Sequence, residues 1–213
     1  MRQKILPLAL LPLLVVSAER TAWGNPVAAF SFSSATYATY DPSTAELGYD
    51  FSTGATPVLV SALGYINDGT NTTHTIQLFD VATQKAVPGG LAAVMTSGGG
   101  PTSTSFSYVK LATPVQLSAY TEYQIVSQFY TNEHYFIQAK NLVTSVGLTL
   151  GNAVYDNYGA PPTIPDFARG TAAVNDPGDF GPNMLVSAAE PSSLAVLGVG
   201  LVTFWRTRRR PRS

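Results

Sequence analysis

The chain has 213 residues, 45% of them hydrophobic, and contains no cysteine, which excludes disulfides, thiolate metal ligands and a cysteine nucleophile. The overall charge is −1, but most basic residues lie near the two ends, and the stretch between them holds eleven acidic and only four basic side chains. An acidic body argues against nucleic-acid binding, which needs a basic surface.

The chain opens on a basic start followed by an apolar run. Arg2 and Lys4 precede residues 5–18, a stretch of about 14 residues with almost nothing polar. This pattern is typical of a secretory signal peptide and is shorter than the roughly 20 residues that a transmembrane helix needs. Residues 1–24 are therefore predicted to be a signal peptide, cleaved at the end of the run or, as the small-residue rule favours, near 22–24. A buried core helix is the alternative, and the two prolines in the run argue against it.

Residues 25–188 are predicted to form one all-β domain. Apolar and polar residues alternate in several segments: Ile76 and Leu78 share one face of a predicted strand, and Tyr123 and Ile125 share a face of another. The predicted strands are 27–32, 46–52, 57–66, 75–81, 91–96, 105–111, 114–118, 122–129, 134–138, 144–150, 171–174 and 183–187. Turn signals between them are the segments 67–69, 88–90, 98–101, 159–162 and 176–178. We expect an antiparallel β-sandwich of the jelly-roll type rather than a barrel.

Five motifs occur in a defined order within residues 46–137. They are Glu46 to Phe51, Leu63 to Asp68, His74 to Asp80, Phe106 to Leu111 and Pro114 to Tyr123. In this order they are similar to a family of uncharacterised bacterial β-sandwich domains. The resemblance implies the same fold, and a place beside extracellular carbohydrate-handling and adhesive modules.

Two histidines, His74 and His134, are the candidates for a general base or a metal ligand. Neither has a partner at metal-ligand spacing, so an exposed or hydrogen-bonded strand histidine is the favoured interpretation. A pair of carboxylates could support glycoside hydrolysis instead. The acidic residues are thinly spread, however, and no catalytic residue is assigned.

Two predicted loops hold candidate ligand-binding residues. Asn67, Asp68 and Asn71 offer the oxygen donors that Ca²⁺ prefers, although the full calcium-loop pattern is missing and a plain turn is favoured. A structural Ca²⁺ is the one cofactor that the sequence suggests. Tyr155 and Tyr158 are candidates for stacking on a sugar ring, although strand surfaces also use tyrosine.

The C-terminal segment, residues 189–213, has three parts in a fixed order. Glu190-Pro191 is followed by the apolar segment 194–205 and then by a cluster of arginines. The cluster comprises Arg206, Arg208, Arg209 and Arg210. Together these parts resemble the PEP-CTERM sorting signal, with Ala189 in place of the usual first proline. About 12 apolar residues are marginal as a permanent span, and the positive-inside rule would keep the arginines in the cytoplasm.

The resemblance of the tail implies a route and a location. An exosortase-type protease is expected to remove the tail near Glu190-Pro191 after a transient stay in the membrane. The mature protein is then expected in the cell envelope, at the cell surface or in the extracellular matrix of a Gram-negative bacterium. The sequence favours a non-enzymatic structural or adhesive protein that contacts exopolysaccharide. A secreted carbohydrate-active enzyme and a permanently anchored envelope protein are the alternatives.

Overall fold

A computed structural model describes residues 22–39, 46–67, 69–99, 104–130, 133–145, 147–156, 162–171 and 181–190. Most of the predicted signal peptide lies outside these residues, as do the apolar segment 194–205 and the arginine cluster. Within the described ranges, no helix has the length and apolar character that a membrane crossing requires.

The described residues form strands and turns, without a helix. The strands are β1 (Val27–Ala28), β2 (Phe30–Ser31), β3 (Ser34–Thr39), β4 (Glu46–Thr53), β5 (Val58–Ile66), β6 (Thr73–Asp80), β7 (Lys85–Met95), β8 (Phe106–Leu117), β9 (Glu122–Gln128), β10 (His134–Lys140), β11 (Val143–Thr144), β12 (Leu148–Asp156), β13 (Gly170–Thr171) and β14 (Pro182–Ala188).

The strands form two larger sheets. A four-stranded sheet has the order β1-β14-β5-β8, and a six-stranded sheet has the order β13-β12-β4-β9-β6-β7. Two further pairs are β3–β10 and β2–β11, and each pairing in this part of the chain is antiparallel. The prediction of an all-β antiparallel fold is confirmed, and the arrangement is consistent with a β-sandwich.

The main apolar core is built from side chains of both large sheets. Tyr49 and Phe51 of β4 and Ile125 of β9 contribute from the six-stranded sheet, while Val60 of β5 and Leu117 of β8 contribute from the four-stranded sheet. All five are fully buried. Because side chains alternate between the faces of a strand, the residues next to these in β4 and β9 lie on the outer face of the six-stranded sheet.

A bulge reverses the faces of β5 halfway along its length. The register against β14 shifts between Val60 and Ala62, so Ser61 is an extra residue. Val60 faces the core before the bulge, and Leu63 faces it after the bulge. In a regular strand, residues an odd number of positions apart would point to opposite faces. Without this shift, the second half of β5 would turn its apolar side chains away from the core.

Two predicted breaks at prolines are wrong. The predicted turn at 88–90 lies inside β7, and Pro114 lies inside β8, which joins the predicted strands 105–111 and 114–118. Both β7 and β8 are edge strands, which pair with a neighbour on one side only. A proline is tolerated there when its missing N–H would point away from that neighbour. The register of β7 against β6 also shifts across 88–90, so these residues bulge out of the ladder.

Other boundaries differ from the prediction as well. The strand β3 was not predicted, because its small residues give only a weak alternation signal. The predicted strand 144–150 is divided between β11 and β12, which extends to Asp156. Gly147, with a φ of 87°, lies at this break, in a backbone conformation that favours glycine.

Candidate ligand-binding cavity

The outer face of the six-stranded sheet carries polar side chains that are nevertheless buried. Glu46 and Asp50 of β4 and Gln124 and Gln128 of β9 lie on this face, and none is more than 9% exposed. One face of an antiparallel sheet commonly meets water, so burial here requires a cover. The cover is the segment 162–169, which contains no strand.

Side chains of the sheet hold the backbone of segment 162–169 in place. The backbone N–H of Asp166 donates to Oε1 of Glu46 at 2.9 Å. The backbone N–H of Ala168 donates to Oε1 of Gln124 at 2.8 Å, and Nε2 of Gln124 donates back to the Ala168 carbonyl at 3.2 Å. Since these bonds replace a strand ladder, the position of the segment depends on the side chains beneath it.

Apolar contacts fasten the same segment. Ala168 is buried in a small cluster with Phe79 of β6, Val126 of β9 and Val154 of β12, and Phe167 packs against that cluster. The rings of Phe79 and Phe167 meet edge to face, with centroids 6.0 Å apart and planes at 83°. Such a pair contributes beyond the area that it buries, so both rings are held in a defined geometry.

A cavity of about 470 Å³ lies between segment 162–169 and strands β6 and β7. Its lining includes Gln77, Phe79, Gln84, Asp166, Phe167 and Arg169. The volume falls within the range of small-molecule sites. Aromatic rings beside amide, carboxylate and guanidinium groups suit a ligand that has both apolar ring faces and hydroxyl groups.

The tight turn between β6 and β7 shapes one rim of this cavity. Oδ1 of Asp80 accepts hydrogen bonds from the backbone N–H and the hydroxyl of Thr83, both at 2.8 Å. Gln84 follows with a φ of 54°, in the left-handed region. The hydrogen bonds to Asp80 therefore hold the backbone of the turn, and the exposed Gln84 side chain lies at the rim of the cavity.

Burial changes the acid–base properties of the carboxyl groups under the segment. Glu46 is fully buried, and its Oε2 has no hydrogen-bond partner in the described part of the chain. Burial raises the pKa of Glu46 to about 7; the hydrogen bond from Asp166 lowers it, and the carboxylates of Asp166 and Asp156 raise it further. Burial also raises the pKa of Asp50, against the effect of its hydrogen bond from Gln124.

Arg169 is the cation at the cavity. Its backbone N–H donates to Oδ2 of Asp156 at 3.2 Å, and its side chain is exposed. No carboxylate among the described residues lies within ion-pairing distance of its guanidinium group. The other basic residues of the body, Lys85, Lys110 and Lys140, do not line the cavity. The guanidinium group is thus available to an anionic ligand.

His74 lies in the interior, on the opposite face of β6 from the cavity. Its Nδ1 is 3.1 Å from the Gln128 carbonyl oxygen, and its Nε2 is 3.4 Å from Oε1 of Glu133. Its ring stacks on Tyr65, with centroids 3.5 Å apart. Of the two predicted settings, exposed or hydrogen-bonded, His74 has the second, because it lies in a strand, contacts the Gln128 carbonyl and is fully buried. The side chain of His134 lies outside the described residues.

The side chain of Asn67 forms hydrogen bonds with neighbouring segments of the chain. Its Oδ1 accepts hydrogen bonds from the Ser107 hydroxyl at 2.6 Å and from the Ser97 backbone N–H at 3.2 Å. Asn71 is exposed with a φ of 54°, and Asp68 lies outside the described residues. Among the residues that are described, no group of three or more His, Cys, Asp or Glu is placed to hold a metal ion. The Ca²⁺ site stays a prediction.

The prediction that Tyr155 lies in a loop is wrong. It belongs to β12, where it pairs with Leu47 and so lies on the opposite sheet face from Glu46 and the cavity. Its ring packs over Gly170, where an added Cβ would come within 2.9 Å of Cε2 of the ring. Tyr158 lies outside the described residues. The structure therefore does not bring Tyr155 to the cavity.

The two ends of the described domain lie side by side. Trp23 forms an antiparallel bridge with Ala189, and the backbone N–H of Glu190 donates to the Ala22 carbonyl at 2.8 Å. Glu190 itself is exposed, while Pro191 and the arginine cluster lie outside the described residues. Residues 22–24 are thus part of the folded domain, directly beside the start of the C-terminal segment.

The cavity and its polar floor were not predicted from the sequence. Segment 162–169 has neither helical nor strand periodicity, so nothing in it predicted a cover for the sheet. A signal was present in the strands, where Glu46, Asp50 and Gln124 alternate with large apolar residues.

No protein-family model matches the chain, and a search of curated proteins finds no match either.

Proposed function

We propose that this chain is a non-enzymatic exported protein of the cell surface or exopolysaccharide matrix of a Gram-negative bacterium, and that its domain binds saccharide in the cavity beneath segment 162–169. The cavity is the observation that carries the binding proposal. It sets the paired rings of Phe79 and Phe167 beside amide and charged groups. Sugar rings offer C–H faces to aromatic rings and hydroxyl groups to polar side chains.

The strand order supports a jelly-roll-like fold. The runs β1-β14-β5-β8 and β4-β9-β6-β7 correspond to the order expected for two four-stranded jelly-roll sheets, and the chain changes sheet after each of β4, β5, β7 and β8. In this proposal β12 and β13 extend the second sheet at its β4 edge. The jelly roll is an architecture that lectin domains use, so the proposed fold suits saccharide binding by analogy.

The sequence of the two ends supports export and sorting. The signal peptide directs the body out of the cytoplasm, and the tail halts in the membrane until an exosortase-type protease cuts near Glu190-Pro191. Mass spectrometry of the protein recovered from the cell surface tests this route. The proposal predicts a mature product that lacks Arg206 to Arg210. A product that retains them would instead indicate a permanent anchor.

A binding measurement tests the role of the cavity. The purified protein is applied to a glycan array beside two variants, Phe167→Ala and Tyr120→Ala. Phe167 lines the cavity, whereas Tyr120 is an aromatic residue that is 81% exposed and lies outside the cavity lining. The proposal predicts that only the first substitution weakens binding, by about tenfold. Equal losses in both variants, or no binding by the parent protein, would contradict it.

One observation favours a carbohydrate-active enzyme as a second candidate. A carboxyl group with a pKa of about 7 is a property of general acids, and Glu46 has it, with Asp156 and Asp166 close by. The full burial of Glu46 argues against contact with a substrate. Release of reducing ends from polysaccharide that disappears in Glu46→Gln would support the enzyme. Binding without turnover in both proteins would support the non-enzymatic proposal.

A further inference from the structure

We infer that the cavity selects an acidic sugar residue, whose carboxylate pairs with the guanidinium group of Arg169. The inference rests on the proposed saccharide-binding function and adds the ligand class and the residue that recognises it. Arg169 lines the cavity, is exposed and forms no ion pair among the described residues. It is therefore the cationic group at this site, and it has no ion-pair partner within the described part of the protein.

The charge pattern makes this arginine unusual. Between the basic ends, the chain has eleven acidic side chains and four basic ones. Asp156 and Asp166 are neighbours of Arg169 in the fold, since one accepts from its backbone N–H and the other lines the same cavity. Because the guanidinium group forms no ion pair among the described residues, its N–H donors are open to an external anion. The two carboxylates nearby oppose an anion, so the contact with the guanidinium group has to outweigh their repulsion.

The backbone around Arg169 is fixed before a ligand arrives. Its own N–H is bonded to Asp156, and the preceding residue, Ala168, is bonded twice to Gln124. The segment therefore does not have to be ordered on binding, which lowers the entropy lost. The planar fork of arginine matches the two oxygens of a carboxylate, so the pair can be bidentate.

The remaining lining groups give the sugar an orientation. Phe167, which is half-buried, offers apolar surface to the sugar ring, and the Gln84 amide at the rim can donate to or accept from hydroxyl groups. The carboxylate of Asp166 accepts hydrogen bonds from hydroxyl groups and repels an anion. A sugar carboxylate is thus directed towards Arg169 and its hydroxyl groups towards Asp166.

The test compares one saccharide with and without its charge. The ligands are a short oligogalacturonate and the same oligosaccharide after reduction of each carboxyl group to a hydroxymethyl group. Binding of both to the full-length protein is measured by calorimetry at low and at raised salt, together with Arg169→Gln and Lys110→Gln. Lys110 is exposed on β8 and outside the cavity lining, so its variant controls for the loss of one positive charge.

The inference predicts that the parent protein prefers the acidic form by about tenfold or more, and that raised salt weakens this preference. Arg169→Gln should bind both forms equally, and Lys110→Gln should keep the preference. An unchanged preference in Arg169→Gln, or none in the parent protein, would overturn the inference while saccharide binding stands. If the parent protein binds neither form, nor any saccharide on the array, the proposed function fails together with the inference.

Discussion

The buried carboxyl group of Glu46 makes the stability of the protein depend on pH. Its pKa is about 7 in the folded protein against 4.5 without burial, so the folded state keeps a proton that the unfolded chain has lost between these values. The contribution of Glu46 to the free energy of unfolding is therefore greatest below about pH 4.5 and falls as the pH rises towards about 7. A shift of this size corresponds to about 3 kcal/mol. Asp50, whose pKa is also raised, acts in the same direction.

The substitution Glu46→Gln isolates this effect. Glutamine cannot ionise, and its Oε1 can still accept the hydrogen bond from the Asp166 backbone. Urea unfolding should show the variant and the parent protein to be nearly equal at about pH 4, with the variant more stable by up to about 3 kcal/mol at about pH 8. Glu190→Gln, at an exposed carboxyl group, is the control and should follow the parent protein. Equal pH slopes for Glu46→Gln and the parent would refute the reasoning.

Two substitutions and one sequencing measurement have defined outcomes. Gly48→Ala would place a Cβ against the backbone of β9 and should lower the free energy of unfolding by about 3 kcal/mol, measured by thermal melting. Gly54→Ala is the control: the nearest atom to its added Cβ is 3.5 Å away, so stability should change by less than about 1 kcal/mol. Gln124→Leu leaves buried polar groups unpaired, so it should cost about 2–3 kcal/mol and expose segment 162–169 to limited proteolysis. N-terminal sequencing should find cleavage at the end of the apolar run, with Trp23 retained, because the bridge from Trp23 to Ala189 belongs to the fold. Cleavage at the end of residues 22–24, the site that the small-residue rule favours, would contradict this.

The strands that were predicted well are those in which alternation is strict. In β6 and β9, Ile76, Leu78, Tyr123 and Ile125 face the core as the pattern predicted, because one buried face fixes the register of a strand. The existence of these strands follows from local pattern alone. Their partners do not, since the order of the strands depends on contacts between residues far apart in sequence.

The cavity could not be predicted from local pattern. It exists because segment 162–169 lies against a sheet whose strands come from residues 46–53, 73–80 and 122–128. The burial of Glu46, and with it the raised pKa, results from this long-range contact. The interpretation of Tyr155 as a loop residue is wrong for a related reason. Pairing with β4 and β13 extends β12 to Asp156, beyond the end of the predicted strand at residue 150.

Hydrogen exchange in the presence of a bound oligosaccharide tests the central claim, that the cavity is the saccharide site. The full-length protein is compared with and without a saccharide that it retains on the array. The account predicts slower exchange in residues 77–86 and 164–169, which form the cavity. Protection confined to other surfaces, such as the strand that carries Tyr155, would contradict it.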